Sequence, residues 1–361
     1  MISNTQQSSV DDPSTGTSLP EGDGDRPLTA HTIRAATDAD VPEILRLIDT
    51  SYDRQDDLLR LRYWRWKHEA NPFGASPCLV AESNGRLVGV RVFLRWAWQS
   101  GDRTVRAVRA VDTATHPEWR GRGIFSRLTL RLVEQMQREG ISFVYNTPNA
   151  KSMPGYLKMG WSRVGRVPLW IRPHRVSRAV RRSLTQRHAD TPVLKGLDTV
   201  PYTLQEERLP AFLSDVAPVD DRYHTARTLP YLSWRYGDIP GLTYRARFDT
   251  AGDSGALLVA RGRRRGRLRE VTISELLVTP SPRGIELARH LLSALLSSAD
   301  ADYVVACAAP GTAERSVLAR SGFVPVPRVG PHFTARRLAP DAPDPSTWAS
   351  WRCSIGDLEL F

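Results

Sequence analysis

Residues Pro117 to Phe125 read P-E-W-R-G-R-G-I-F. Gly121 and Gly123 stand two apart, flanked by Arg120 and Arg122. The run from Thr104 to Thr115 ahead of them is apolar and rich in β-formers, and Ile124 to Arg138 behind them has the apolar period of an amphipathic helix. A strand, a glycine turn and a helix start in that order make a phosphate cradle. Glycine lets the backbone come close to an anion and adopt positive φ. The first helical turn then offers unbonded N–H groups and the positive end of its dipole. A phosphate-bearing ligand is expected at this turn.

The elements that must position this turn can be read outward from it. Ile33 to Ile48 reads as a short strand, a cap at Thr37 or Asp38, and a helix with Val41, Ile44, Leu45 and Ile48 on one face. Leu61 to Glu69 is a second helical piece. Cys78 to Leu94 is a hairpin, because Asn84-Gly85 suits a tight type I′ turn. After the strand to Thr115, the turn and its helix come a strand from Ile141 to Asn146, a short helix ending at Gly160, and a closing strand from Trp161 to Trp170. The last residues, from Trp351 to Phe361, read as a final strand.

The second half repeats the first. Tyr63-Trp-Arg-Trp66 is answered by Tyr231-Leu-Ser-Trp234, and the hairpin by Ala256 to Val278. T-H-P-E-W-R-G-R-G is answered by T-P-S-P-R-G at Thr279, and K-M-G-W at Lys158 by R-S-G-F at Arg320. An internal repeat of this length implies two copies of one fold. The second copy keeps only Arg283-Gly284 of the spaced glycines, so one working cradle is expected, in the first copy.

Bulk properties bound the answer. The chain has 361 residues, 41% hydrophobic and 25% charged, as in a globular protein of two or three domains. No apolar run reaches the length of a membrane helix, and no secretion signal opens the chain. Cys78, Cys307 and Cys353 lie far apart without metal-ligand spacing, which fits free thiols in a cytoplasmic setting, and no metal is expected. The net charge is +11, but only Lys67, Lys151, Lys158 and Lys195 are lysines among 50 basic residues. That arginine bias favours a solvated surface over a polybasic nucleic-acid site. Residues 1–30 are expected to form a disordered tail. Residues 173–200 form a basic connector in which Val176, Val180 and Leu184 would share a helix face, packed on its own domain in preference to a membrane surface.

The order strand, R-G-R-G turn, helix, strand, then Asn149, Tyr156 and K-M-G-W resembles the GNAT acyltransferases, which use acetyl-CoA. Their pyrophosphate signature maps onto Glu118 to Gly123. Both glycines match; Glu118 departs from the usual Gln or Arg, and Phe125 stands where a third glycine is common. The resemblance covers about residues 33–171 well and 225–327 weakly, and it is similar to tandem members, including Eis-like ones, that pair an active with a degenerate copy. It implies an α/β (α+β) class: tandem folds, each a mixed, mostly antiparallel twisted sheet flanked by helices, with a splayed central strand pair. The expected division is a tail at 1–30, a catalytic domain at 31–172, a basic linker at 173–200 and a degenerate domain at 201–361 closing on a C-terminal strand.

The same resemblance implies the chemistry. The CoA pyrophosphate would sit on the amides of Arg120, Gly121, Arg122, Gly123, Ile124 and Phe125. Its pantetheine arm would run along the strand that ends near Thr115, and Asn149 would contact that arm. Tyr156 has the family's spacing for the acid that protonates the leaving thiolate, a role suited to a phenol. Asp112 is the candidate base for the attacking amine, with an ordered water as the alternative. The acceptor would be a small-molecule amine bound between the two copies, with Trp64, Trp66, Trp96 and Trp98 as candidate lining. Eis-like proteins bring a C-terminal carboxylate to the active site; here a packed terminal strand is expected instead. Two rivals are a tandem acyl or aminoacyl transferase taking a tRNA- or lipid-linked partner, and a non-catalytic module binding CoA or nucleic acid. The latter would use the connector's Arg175, Arg181 and Arg182 and the arginine run at 261–267. The intact cradle speaks against the first rival, and Asn149 with Tyr156 against the second.

Overall fold

The computed structural model describes residues 31–49, 57–174, 191 and 194–358. The expected tail and the connector helix lie outside the described residues. Along the first half run β1 (Thr32–Ala35), α1 (Val41–Asp49), α2 (Asp57–His68), β2 (Cys78–Ser83), β3 (Arg86–Ser100), β4 (Arg103–Thr115), α3 (Ile124–Arg138), β5 (Phe143–Asn146), α4 (Met153–Lys158), β6 (Ser162–Arg166) and β7 (Leu169–Pro173). The second half follows with β8 (Asp198–Thr199), α5 (Val200–Thr203), α6 (Leu209–Asp215), α7 (Leu229–Leu232), β9 (Arg245–Ala251), β10 (Ser254–Arg265) and β11 (Leu268–Val278). It ends with α8 (Pro282–Ser298), β12 (Tyr303–Cys307), α9 (Ala313–Arg320), β13 (Val324–Val326), β14 (His332–Arg337) and α10 (Ile355–Leu358).

The strands form two seven-stranded sheets, in the orders β1-β2-β3-β4-β5-β14-β6 and β13-β7-β12-β11-β10-β9-β8. In each, one central pair is parallel, β4 with β5 and β11 with β12, and the other pairings are antiparallel. The hairpin turn forms as expected, with Asn84 at φ 50° and Gly85 at φ 72°.

Two strands change sheets. β14, late in the chain, lies between β5 and β6 of the first sheet, while β7 lies between β12 and β13 of the second. The closing strand expected over Trp161 to Trp170 is therefore two strands in different sheets. Pro168 sits at the break and has no N–H for a ladder bond. The expected C-terminal strand is also corrected. Trp351 makes a single bridge with Tyr223, and the chain then turns into α10. The Ser354 hydroxyl accepts from the Asp357 N–H at 3.2 Å, and the Asp357 carboxylate accepts from the Ser354 N–H at 2.8 Å. This reciprocal cap starts a helix where periodicity alone reads a strand.

The first sheet packs α3 on one side, through Ile124, Leu128, Leu132 and Met136, and α1 through Val41, Ile44 and Leu47. The second packs α8 and α9 in the same way. The largest core lies between the halves and is aromatic: Trp66, Trp96, Trp98, Tyr145 and Phe333 meet Tyr231, Trp234 and Trp351. At its centre Trp66 and Trp234 stack at 5.1 Å. Each indole N–H donates to the other residue's carbonyl, at 2.6 and 2.9 Å. The repeated tryptophans thus form the contact that joins the two copies.

Candidate active site

At the glycine turn, Gly121 and Gly123 have φ of 77° and 72°. A side chain there would be strained whatever the space. Gly123 is the N-cap of α3, and no side chain caps that helix. A Cβ added at either glycine would meet nothing within 4 Å. The Arg122 guanidinium lies 4.7 Å over the Trp119 ring, Arg120 is exposed, and Phe125 is half-buried. The helix start is pressed on β3 through Gly89, opposite Thr115, where a Cβ would come within 2.6 Å of the buried Ile124. Gly89 thus fixes the cradle's distance from the sheet, a role that the sequence pattern does not signal.

The strand leading into the turn parts from its neighbour. β4 pairs with β5 only from Ala107 to Arg109, yet continues to Thr115. Within the open stretch, Phe93 faces Ala110 and Arg91 faces Thr113, so Val111 and Asp112 bulge opposite Val92. Arg91 reads this bulge. Its Nη1 donates to the Val111 carbonyl at 3.1 Å and its Nη2 to the Tyr156 hydroxyl at 2.7 Å. Its guanidinium lies 5.1 to 5.5 Å from the rings of Phe93, Phe125 and Tyr156. Such cation–π contacts and hydrogen bonds offset the cost of burying a guanidinium among rings. Tyr156 reaches this point from α4, and Asn149 holds the turn before that helix by accepting from the N–H groups of Lys151 and Ser152 at 3.0 and 2.9 Å.

Asp112 has partners that the strand pattern does not reveal. Its Oδ2 accepts from Lys67 Nζ at 2.7 Å and lies 2.9 Å from His68 Nε2. His68 Nδ1 lies 3.0 Å from the Ser76 hydroxyl. Burial alone would raise the Asp112 carboxyl, but Lys67 and His68 overcome it and hold the group well below the usual carboxylate range. Burial pushes His68 below its ordinary value, toward the neutral imidazole, against the pull of Asp112. Lys67 and His68 come from the last turn of α2, where the Trp64 ring sits 4.3 Å from that of His68. The group opens on a cavity of about 500 Å³ walled by Leu45, Ile48, Tyr63, Trp64 and, from the second half, Leu242. Of the four tryptophans named as candidate lining, Trp64 lines this cavity; Trp66, Trp96 and Trp98 belong to the core between the sheets.

The second sheet repeats this frame with other residues. β11 pairs with β12 from Glu270 to Thr272 and then runs on, with Ser274 as the bulge. Counting from that pairing, Glu275 matches Asp112. Counting from the paired tryptophans, Tyr236 matches His68, and its hydroxyl donates to Glu275 at 2.6 Å. At the start of α8 the Ser281 hydroxyl accepts from the Gly284 N–H at 3.0 Å, and a Cβ on Gly284 would lie 2.2 Å from the Thr279 carbonyl oxygen. That helix end is capped by its own chain. Two residues before Arg320, in the place of Tyr156, stands the buried Leu318.

Arg91, Lys67, His68 and Ser76 are the site residues that sequence reading passed over. An arginine in the apolar run V-G-V-R-V-F was a usable signal, since a buried charge requires partners. Among the described residues, no group of three His, Cys, Asp or Glu gathers as a metal site, and no helix is long and apolar enough to cross a membrane.

Residues 32–164 match the family model of the acetyltransferase (GNAT) domain. No curated protein matches the sequence. Among solved structures, a probable N-acyltransferase from Enterococcus faecalis superposes with a TM-score of 0.62 at 10% identity, covering 86% of this chain and 73% of that one. A GCN5-related N-acetyltransferase from Anabaena variabilis gives 0.55 at 15%, with the same coverage. Eis1 from Mycobacterium abscessus gives 0.52 at 15%, covering 86% and 74%. At these identities the superpositions speak for the fold, and the family match for the first copy. Residues 32–164 thus carry a domain matching the GNAT acetyltransferase family, and the second sheet is consistent with a tandem of folds.

Proposed function

We propose that the protein is an acyl-CoA-dependent N-acyltransferase that moves an acetyl group to the primary amine of a small molecule. The observation that carries this reading is the opening of β4 away from β5, with the uncapped start of α3 at one end and the Arg91–Tyr156 pair at its bulge. Acetyl-CoA would supply the thioester. The amides from Arg120 to Phe125 would hold its pyrophosphate, and the β4 backbone from Asp112 to Thr115 would hold its amide-bearing arm.

Tyr156 gives its phenolic proton to the departing sulfur as the new C–N bond forms and the C–S bond breaks. Arg91 orients that phenol by donating to its oxygen, which leaves the O–H directed elsewhere. The amine enters from the cavity beside Trp64, and its surplus proton passes to the His68–Asp112 pair. Asp112 alone is a weak acceptor because Lys67 and His68 stabilise its ionised form. Neutral His68 supplies the basicity, and Asp112 stabilises the imidazolium that results. Asn149 acts by positioning Tyr156. The test is calorimetric titration with acetyl-CoA, followed by a thiol-release assay across a panel of amines. Binding in the wild type and its loss in Gly123→Asp are expected; a wild-type chain that does not bind acetyl-CoA would sink the proposal.

A further inference from the structure

The cavity in front of Asp112 is built by both copies. α1 supplies Leu45 and Ile48, α2 supplies Leu59 and Trp64, and the second half closes it with Leu242. Gly241, beside Leu242, has φ 74°, and a Cβ on it would lie 3.1 Å from the methyl carbons of Leu59. The second copy is thus seated directly on α2, and its position fixes the width of the cavity. Leu45, Ile48 and Leu242 are half-buried, so this apolar wall keeps surface that a ligand can cover.

The charged groups on the cavity stand in pairs. Asp112 holds Lys67, Asp49 holds Arg60, and burial favours the neutral form of His68. Among the described residues the lining therefore carries two acids and two cations, and no carboxylate is left for a further cation. One acceptor atom is nevertheless open. Both bonds to Asp112 fall on Oδ2, and the side chain keeps 26% of its surface, so Oδ1 can take an N–H from a ligand. A single open oxygen at the end of an apolar wall suits a ligand with one amine and an apolar body. A second ammonium on that body would lose its water against leucine and isoleucine side chains.

We propose that the acyl acceptor is a monoamine with an apolar body, its nitrogen at Asp112 Oδ1, and that Leu242 of the second copy selects against polycationic amines. This rests on the acyl-transfer reading for the fate of the amine, but the binding preference itself is measured without acetyl transfer and fails or stands separately.

The experiment is calorimetric titration of the full chain, with and without CoA, using n-hexylamine and hexamethylenediamine, which differ only in the second amine. The monoamine should bind, and the diamine should bind at least about tenfold more weakly, the cost of an ammonium desolvated without a partner. Leu242→Asp places a carboxylate on the wall and should bring the two affinities level or reverse their order. That ratio separates a changed wall from a damaged fold, which would weaken both amines alike. If Leu242→Asp fails to fold by circular dichroism, Ile48→Asp makes the same test from α1. No binding of n-hexylamine in either condition, equal binding of the diamine to the wild type, or a ratio unmoved in a folded variant overturns the proposal. A chain that shows this preference but does not bind acetyl-CoA would refute the acyl-transfer reading alone.

Discussion

The openings in the two sheets share a frame and differ in chemistry. Both have a three-pair parallel ladder, a bulge two residues beyond it, and an acid facing a residue from the helix that carries the central tryptophan. In the first, the acid is Asp112, held by Lys67 and His68 in front of an uncapped helix and a tyrosine. In the second, it is Glu275, facing Tyr236 and sharing Arg227 with Asp357, in front of a helix capped by serine. The backbone has been kept twice, while the groups that could hold a phosphate or move a proton stand around one opening. The fold supplies an opening; the side chains decide what it can do.

Substitutions in matched positions would break or sharpen this contrast. The largest effect is expected at the acids. Asp112→Asn leaves the buried Lys67 ammonium without its carboxylate and should cost about 3 kcal/mol, the lower end for breaking a buried pair because Asp112 is partly exposed. Glu275→Gln should cost less, since Arg227 keeps Asp357; chemical denaturation of both variants compares them, and an equal loss would remove the distinction. Next is the cradle. Gly123→Asp puts a charged side chain at positive φ beside the expected pyrophosphate and should weaken acetyl-CoA binding by about 100-fold, whereas Ser281→Gly in the second copy should not create a second binding event in the same titration. Tyr156→Phe should lower turnover by more than about tenfold with little change in KM; an unchanged rate would show that the thiolate leaves without this acid. Smaller again is Ser281→Ala, where loss of the α8 cap should cost about 1 kcal/mol by denaturation.

Acid should also act on the first opening. His68 titrates below its ordinary value when folded, so the unfolded chain takes up the proton first. Stability is then present above about pH 6.5 and lost as the pH falls from there through the folded value. Asp112 adds a loss only below about pH 4, because its folded value lies beneath the usual range. Thermal unfolding between pH 7 and 5 should show the decline, reduced in His68→Gln; His224 and His332, whose folded values burial also lowers, contribute to the remainder.

What the sequence made legible was whatever is local or repeated. The glycine turn, its helix, the Asn84-Gly85 hairpin and the paired tryptophans stand as spacing predicts, because each is set by residues a few positions apart. The partners of Asp112 were hidden because Lys67 and His68 are some 45 residues away in sequence and meet it only through packing of α2 on the sheet. Arg91 was hidden in plain view: strand periodicity reports which face a residue takes, but not that a charge on the buried face has found a carbonyl and a phenol. The C-terminal helix was misread because a cap formed by two side chains decides it, and apolar spacing does not register a cap.

The exchange of β7 and β14 bears on how the chain comes to be folded. β14, which joins β5 to β6, is not available until residues near 337 have left the ribosome. Until then the sheet that carries the glycine turn has an exposed edge at β5, and sealing it requires contacts nearly 190 residues apart, such as Asn146 with Thr334. Contacts so distant in sequence slow the search for the native state. A nascent first copy would therefore wait for the second, and a chain cut between the halves would leave each with a missing strand. The two copies repeat a fold, but they reach it as one cooperative unit.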